Sequence, residues 1–312
     1  FGCSVPSVMS SRTLPSERDR RLTILLTPFM SCSAKLPVYG LLCAAFFPQA
    51  PALAMITLYI LGIVVGMVVA VILNRTSFKG EPVPFIMELP NYRMPSAKTT
   101  LQLAWDKAKG FITKAFTIIF AASVAIWFLQ TFDYKFNVVS SIDQSLLGII
   151  GRWLAPIFYP LGINDWRVST SLIAGISAKE AVVSTLAVLM GTSASELSIV
   201  LGAAFTPLTA FAFLVFTLLY TPCIAAVATI GKELGSGWWT LAVIVFQCLV
   251  AWVVSFITYR LGLLFTGSGL KTLDYIVITV ILVLAIIVAS YMVYKKKKGE
   301  VGCNGSCATC KK

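Results

Sequence analysis

The stretch Leu26–Gly40, LTPFMSCSAKLPVYG, lies in an apolar region long enough to cross a bilayer, yet it carries Pro28, Pro37, a thiol at Cys32 and an ammonium at Lys35. A helix that only anchors a chain in lipid has no use for these groups. Proline removes a backbone donor and clashes with the preceding turn, so a carbonyl is freed. In hydrocarbon that carbonyl must be buried in protein or face a water-filled cavity. The segment therefore reads as a membrane helix broken around a site.

The composition agrees with a membrane setting. Of 312 residues, 58% are hydrophobic and 12% charged, more apolar surface than a soluble domain hides. Pro51–Leu73, Trp239–Tyr259 and Tyr275–Tyr294 contain no charge and reach the ~20 residues that a span requires. Phe111–Gln130 and Ala203–Thr221 are also adequate, the first with Lys114 in its first turn. Leu146–Gly162, which holds Arg152, Pro156 and Pro160, reads as a re-entrant or interfacial piece. The expected fold is all-α, a polytopic membrane protein with about seven or eight transmembrane or re-entrant helices. The opening FGCSVPSVM has neither an initiator methionine nor the basic start and apolar core of a secretion signal, and it reads as a fragment or the product of a broken frame.

Charge placement predicts topology. Asn74–Gly110 carries Arg75, Lys79, Arg93, Lys98, Lys107 and Lys109 against three acids, Arg12–Arg21 carries four arginines against Glu17 and Asp19, and the Pro48–Pro51 connection carries no charge. The positive-inside rule puts the first two in the cytoplasm and the Pro48 turn outside. Ser96 can cap a helix whose Leu101, Trp105, Ala108 and Ile112 share one face. That helix is expected to lie in the inner interface before the chain turns into the Phe111 span. The tail KKKKGEVGCNGSCATCKK, with six lysines, is expected inside, where its thiols stay reduced.

Two further segments are irregular. GISAKEAVVSTL (Gly175–Leu186) sets Lys179 beside Glu180 in what reads as an otherwise apolar helix, and LLYTPCIAAVATIGKEL (Leu218–Leu234) sets Pro222 and Cys223 near the end of a span. Broken helices near mid-membrane are how transporters offer carbonyls and helix ends to an ion. Gly2-Cys3-Ser4 and Thr27-Pro28 are echoed by Gly175-Ile176-Ser177 and Thr221-Pro222, a half-to-half similarity of the kind seen in two-repeat transporters. Pro6, Pro28, Pro37 and Pro222 are the expected helix breakers.

The candidate ligands at these breaks are Cys3, Cys32, Cys223, Glu180, Ser31 and Ser177, with freed carbonyls completing an ion's shell. The chain contains no histidine, which excludes imidazole metal sites and proton relays. Thiolates with few hard ligands suit Fe(II), Cu(I) or Zn(II) rather than Mg(II) or Ca(II). Cys43 and Cys248 have ordinary apolar neighbours in sequence and read as core packing. Glu180 is expected to face the cavity, with Lys179 reaching a carbonyl, another acid or the interface. No catalytic residue and no nucleic-acid partner is expected.

FGCSVPSVMSSRTLPSERDRRLTILLTPFMSCSAKLPVYGLLCAAFF, FIMELPNYRMPS, ISAKEAVVSTL and LLYTPCIAAVATIGKE, in that order from Phe1 to about Leu261, resemble the membrane portion of the ferrous iron transport protein B (FeoB) family. The resemblance implies a bacterial inner-membrane Fe(II) importer with two Gate repeats, 1–130 and 131–262, then a helix over 263–294 and a Lys/Cys-rich tail over 295–312. It implies that Cys3, Cys32 and Cys223 line the iron path. Family members carry an N-terminal GTPase domain, so GTP and Mg are expected only through a portion outside this chain, for no G-x-x-x-x-G-K-[ST] loop occurs in it. Expected partners are Fe(II), the lipid bilayer, that GTPase portion, small accessory proteins and a homo-oligomer. The tail thiols Cys303, Cys307 and Cys310 are candidates for accessory metal binding or redox chemistry, and the last span plus tail resembles the small cysteine-rich membrane proteins that accompany this family. The alternatives are a nucleoside or small organic solute transporter of related Gate architecture, and a non-transporting fragment.

Overall fold

The fold is organised around a helix that cannot be continuous. In the computed structural model, which describes residues 2–76, 94, 96–139, 141–193 and 196–265, Pro207–Leu234 is long and apolar enough to span, and 78% of its most apolar window is buried. Two further full-length spans, Pro51–Thr76 and Gly237–Leu264, have only 28% of theirs buried. The first is therefore central and the other two present faces to lipid. Ile56, Ile60, Met67 and Val71 on one, and Leu241, Val245 and Leu249 on the other, are exposed. In water such stripes would be a liability, whereas in hydrocarbon they are the natural boundary.

Twelve α-helices are present among the described residues: α1 (Ser4–Ser10), α2 (Glu17–Leu26), α3 (Leu36–Phe46), α4 (Pro51–Thr76), α5 (Ala97–Thr131), α6 (Leu146–Phe158), α7 (Trp166–Ala174), α8 (Ala181–Met190), α9 (Leu197–Ala204), α10 (Pro207–Leu219), α11 (Ile224–Leu234) and α12 (Gly237–Phe265). Those residues contain no strand, only the isolated bridges Gly2–Cys32 and Phe132–Val138. The protein is an all-α polytopic membrane protein. Three helices are long enough to span, or four if the bent pair α6–α7 counts as one; the shorter apolar helices Ser33–Phe46, Phe116–Thr131 and Ala181–Met190 make up the rest of the apolar set. Contacts divide the chain into two units, Phe1–Thr266 and Gly267–Lys312, and all described residues lie in the first. The expected span Tyr275–Tyr294, much of the basic loop 74–110, and Cys303, Cys307 and Cys310 lie outside the described residues.

Local chemistry sets the element ends. Thr206 accepts from the Thr209 amide at 3.2 Å and Pro207 follows at the first helical position, where its missing N–H costs nothing. Ser16 caps α2, with Glu17 and Asp19 in the first turn favouring the positive end of the helix dipole. Ser145 caps α6 and Asp165 caps α7, and the two meet at a 110° bend, as the proline-rich Leu146–Gly162 stretch predicts. Tight packing of that pair needs Gly151, where a Cβ would sit 1.8 Å from the Thr170 hydroxyl oxygen.

Two expectations need correction. Helix α5 does not turn at Gly110 but runs unbroken for 35 residues. Lys107, Ala108 and Lys109 are good helix formers and no proline interrupts the run, so the interfacial face continues into the span despite Gly110; Leu101, Trp105 and Ile112 remain exposed. Lys179 and Glu180 are not inside a helix either. They close the turn between α7 and α8, with Glu180 at the N-cap of α8.

The first helices fold back onto the last. Val8 and Ile24 pack with Ile230 and Val243, and Val5 packs with Ala225 and Ala226. An ion pair fixes this dock: Arg12 donates from Nε to both carboxylate oxygens of Glu233, at 2.8 and 2.9 Å, and from Nη2 as well. Arg20 donates to the Glu233 carbonyl at 3.1 Å. Glu233 is buried, so neutralising it takes away the charge that Arg12 pairs with and one of the two acceptor oxygens. Glu233→Gln should lower stability by about 2 kcal/mol, read as an earlier thermal unfolding of the detergent-solubilised chain; an unchanged transition would mean the dock is held by apolar contacts alone.

Candidate functional site

The two cysteine-bearing breaks are built alike. In the first, residues Met30–Cys32 run extended between two 3-10 turns, Thr27–Phe29 and Ser33–Lys35. Cys32 is the residue from which the second turn starts, and Gly2 O accepts from the Ser33 amide at 2.9 Å and from the Ser33 hydroxyl at 3.1 Å. In the second, Tyr220–Cys223 runs extended between α10 and α11, Cys223 is the N-cap of α11, and Ile176 O accepts from the Ile224 amide at 2.8 Å. Each thiol thus precedes a helical segment whose first amide is tied to the carbonyl of a distant chain. Gly2 holds φ +115, a conformation that side chains rarely adopt. The hydrogen bonds set Gly2 against Ile176, Cys32 against Cys223 and Ser33 against Ile224, a register that differs from the sequence echo, which set Gly2 against Gly175.

The carbonyls of the second break are not left open. Lys35 donates to Leu218 O at 2.5 Å, and Lys179 donates to Thr221 O at 2.6 Å. Both lysines are 2% exposed. Lys179 Nζ also lies 3.1 Å from the centre of the Tyr220 ring, a cation–π contact that desolvation strengthens. The Tyr220 ring fits only because residue 175 is glycine, since a Cβ there would be 2.6 Å from the tyrosine hydroxyl. The reading of Lys179 as reaching a carbonyl agrees with this geometry.

The thiols are neighbours but not one closed cluster. Cys223 is within electrostatic reach of Cys32 and Cys3, and Lys179 is within reach of Lys35, Cys32, Cys223 and Cys248. Cys3 is exposed, Cys32 and Cys223 are half-buried, and no group of three or more acidic, cysteine or histidine side chains among the described residues is set to hold an ion together. The arrangement offers single soft ligands in succession.

The other predicted residues divide. Ser31 is buried beside Tyr39. Ser177 is buried, but its hydroxyl donates to Ala174 O at 2.7 Å and so serves its own turn. Glu180 is exposed and makes no capping bond. Pro28 and Pro222 stand at the two breaks, whereas Pro6 and Pro37 fall in the first turns of α1 and α3. There the amides have no intrahelical acceptor, so proline starts a helix rather than breaking one.

Sequence reading missed several groups. Cys248, taken for packing, lies 3.2 Å from the Thr221 hydroxyl and so belongs to the edge of the break. Thr217, Tyr220 and Gln247 carry buried polar atoms without a hydrogen-bond partner. A lone glutamine in a charge-free span is the signal that could have found this side of the site. Cys43 is fully buried among apolar residues, as expected.

Comparison with known proteins fits this geometry. Residues 112–237 match the Gate model, described as nucleoside recognition; residues 55–107 match the ferrous iron transport protein B C terminus; and residues 273–312 match the FeoB-associated Cys-rich membrane protein. The chain is 43% identical over 266 residues to the Fe(2+) transporter FeoB of Staphylococcus aureus (strain MSSA476), covering 85% of this chain and 40% of that protein. These matches support a FeoB C-terminal membrane portion. FeoB of Methanocaldococcus jannaschii is 39% identical over 270 residues, with 84% of this chain and 40% of the relative covered. A Porphyromonas gingivalis Fe(2+) transport protein A/FeoB fusion is 38% identical over 313 residues, with 85% and 37% covered. The chain thus spans about two fifths of the length of the relatives it matches. No solved structure matches it.

Burial orders the thiols of this chain. A maleimide applied to the folded protein and read by peptide mass spectrometry should modify Cys3 first, Cys32 and Cys223 more slowly, and Cys43 only on unfolding. Early modification of Cys43 would contradict the packing around α3.

Proposed function

We propose that this chain is the permease portion of a ferrous iron importer of the bacterial inner membrane. The observation that carries the reading is the matched pair of breaks at Cys32 and Cys223, each thiol at the start of a helical segment beside main-chain oxygens. The relatives named Fe(2+) transporter FeoB support it. In this reading 1–130 and 131–262 are two Gate repeats facing each other across the breaks, and Fe(II) is the substrate. Fe(II) lies low in the Irving–Williams order, so a site with several thiolates would retain zinc or copper instead. Cys3, Cys32 and Cys223, offered singly with oxygens between them, let an ion bind and leave.

The rest of the system follows from the same reading. GTP and Mg act through a GTPase portion that these residues do not supply, and this chain itself performs no chemistry on a substrate. The match of 273–312 to a FeoB-associated protein and the FeoA fusion relative favour small accessory partners. Assembly as a homo-oligomer belongs to the same reading.

In a full-length context, Cys32→Ser and Cys223→Ser should each reduce radioactive Fe(II) uptake about tenfold, worth about 1.4 kcal/mol at the limiting step, while Cys43→Ser stays near wild type. Equal uptake by all three variants would remove the thiols from the path. The Gate model's description is nucleoside recognition, so a solute carrier is the alternative to exclude, although the FeoB matches do not favour it. Labelled nucleoside should therefore be run beside Fe(II), and nucleoside flux insensitive to Cys32 and Cys223 would replace the iron reading.

The lysine bias places 74–110 and 295–312 in the cytoplasm. An impermeant thiol reagent should leave Cys303 unmodified in intact cells and modify it after lysis; labelling before lysis would invert the topology.

A further inference from the structure

A thiol path does not explain why two ammonium groups are buried at its centre. Lys35 and Lys179 come from different halves of the chain, yet both end on main-chain oxygens of one break, Leu218 O and Thr221 O. The last carbonyls of a helix have no intrahelical donor and carry the negative end of its dipole. Together with the face of Tyr220, they form an attractive seat for a cation stripped of water. Ion pairs such as Arg12–Glu233, Arg21–Glu17 and Arg152–Asp143 hold arginines, and neither buried lysine is in them. Thr217, Tyr220 and Gln247 add buried polar atoms without partners.

The lysines are also joined to the thiols. Lys35 closes the 3-10 turn that starts at Cys32. Lys179 sits in the α7–α8 turn whose Ile176 carbonyl holds the first amide after Cys223. Moving either ammonium therefore moves a turn tied to a soft ligand.

We propose that Lys35 and Lys179 are tethered stand-ins for the transported cation: at rest they occupy the oxygens of the α10–α11 break, and an entering divalent ion displaces at least one of them. The proposal rests on the Fe(II) path inferred above. It supplies selectivity without a tight site. Sodium and potassium find the oxygens taken, whereas an ion that gains a thiol as well as oxygens can outcompete an ammonium that gains only oxygens. Only that difference in affinity shifts the occupancy.

Mn(II), adjacent to Fe(II) in donor preference, serves as an air-stable probe read by electron paramagnetic resonance on the purified full chain in nanodiscs. Lys179→Met and Lys35→Met keep length but lose charge, and at least one should bind Mn(II) about tenfold or more tighter than wild type. In the unaltered protein, reductive methylation should spare Lys35 and Lys179 without metal and modify at least one as Mn(II) is raised. Unchanged or weaker binding by both variants, with both lysines still protected at the highest Mn(II), overturns the proposal. If a variant does not fold, the methylation arm decides alone. Fe(II) flux by wild-type proteoliposomes separates the two readings. Displaced lysines without flux would leave the stand-ins and remove iron transport; flux with lysines protected throughout would do the reverse.

Discussion

A main-chain oxygen in hydrocarbon must have a donor, and the architecture of this protein follows from meeting that demand at one place. The break between α10 and α11 frees carbonyls in the most buried of the described spans. Water is the usual remedy at such a break. Here two lysines reach in from separate parts of the chain to Leu218 and Thr221. To bring them there, Leu26–Gly40 must abandon its helix and the α7–α8 connection must turn at Gly175–Glu180. The irregularities of the sequence are thus consequences of one another, and together they convert an anchor into a site.

Much of this was legible before any coordinates. The charge-free runs located α4 and α12, and the prolines at 28 and 222 located both breaks, because lipid tolerates a freed carbonyl only where protein covers it. The half-to-half echo was only approximate: it set Gly2 against Gly175 rather than Ile176 and did not align Cys32 with Cys223. What stayed hidden was whatever depends on direction. Residues 179 and 180 are adjacent in sequence, yet Lys179 is buried and Glu180 exposed, and no local pattern says which. Pro6 and Pro37 look like Pro28 and Pro222 until their position within a helical turn is known. Cys248 sits in an unbroken apolar run, so its nearness to Thr221 is a property of how α12 packs on α10.

The two halves of the site also differ in a way that repetition alone would not produce. Both breaks place a cysteine at the start of a helical segment, but both lysines serve the second break. In the proposed path the thiols are common to both breaks, whereas the lysines serve only the second, an asymmetry that would give the path a direction.

The long reach of these contacts bears on how the protein is made. Arg12 meets Glu233 across 221 positions and Lys35 meets Leu218 across 183. Closing such wide loops is slow, because the entropy of bringing distant segments together is lost before any contact repays it. Ribosomal synthesis runs from the N-terminal end, so Lys35 emerges long before its acceptor exists. Until α10 arrives, the first segments hold a charge and a broken helix with nothing to satisfy them. Their early residence at the membrane surface or beside the insertion machinery, followed by late entry into the bundle, is the folding order that this connectivity imposes.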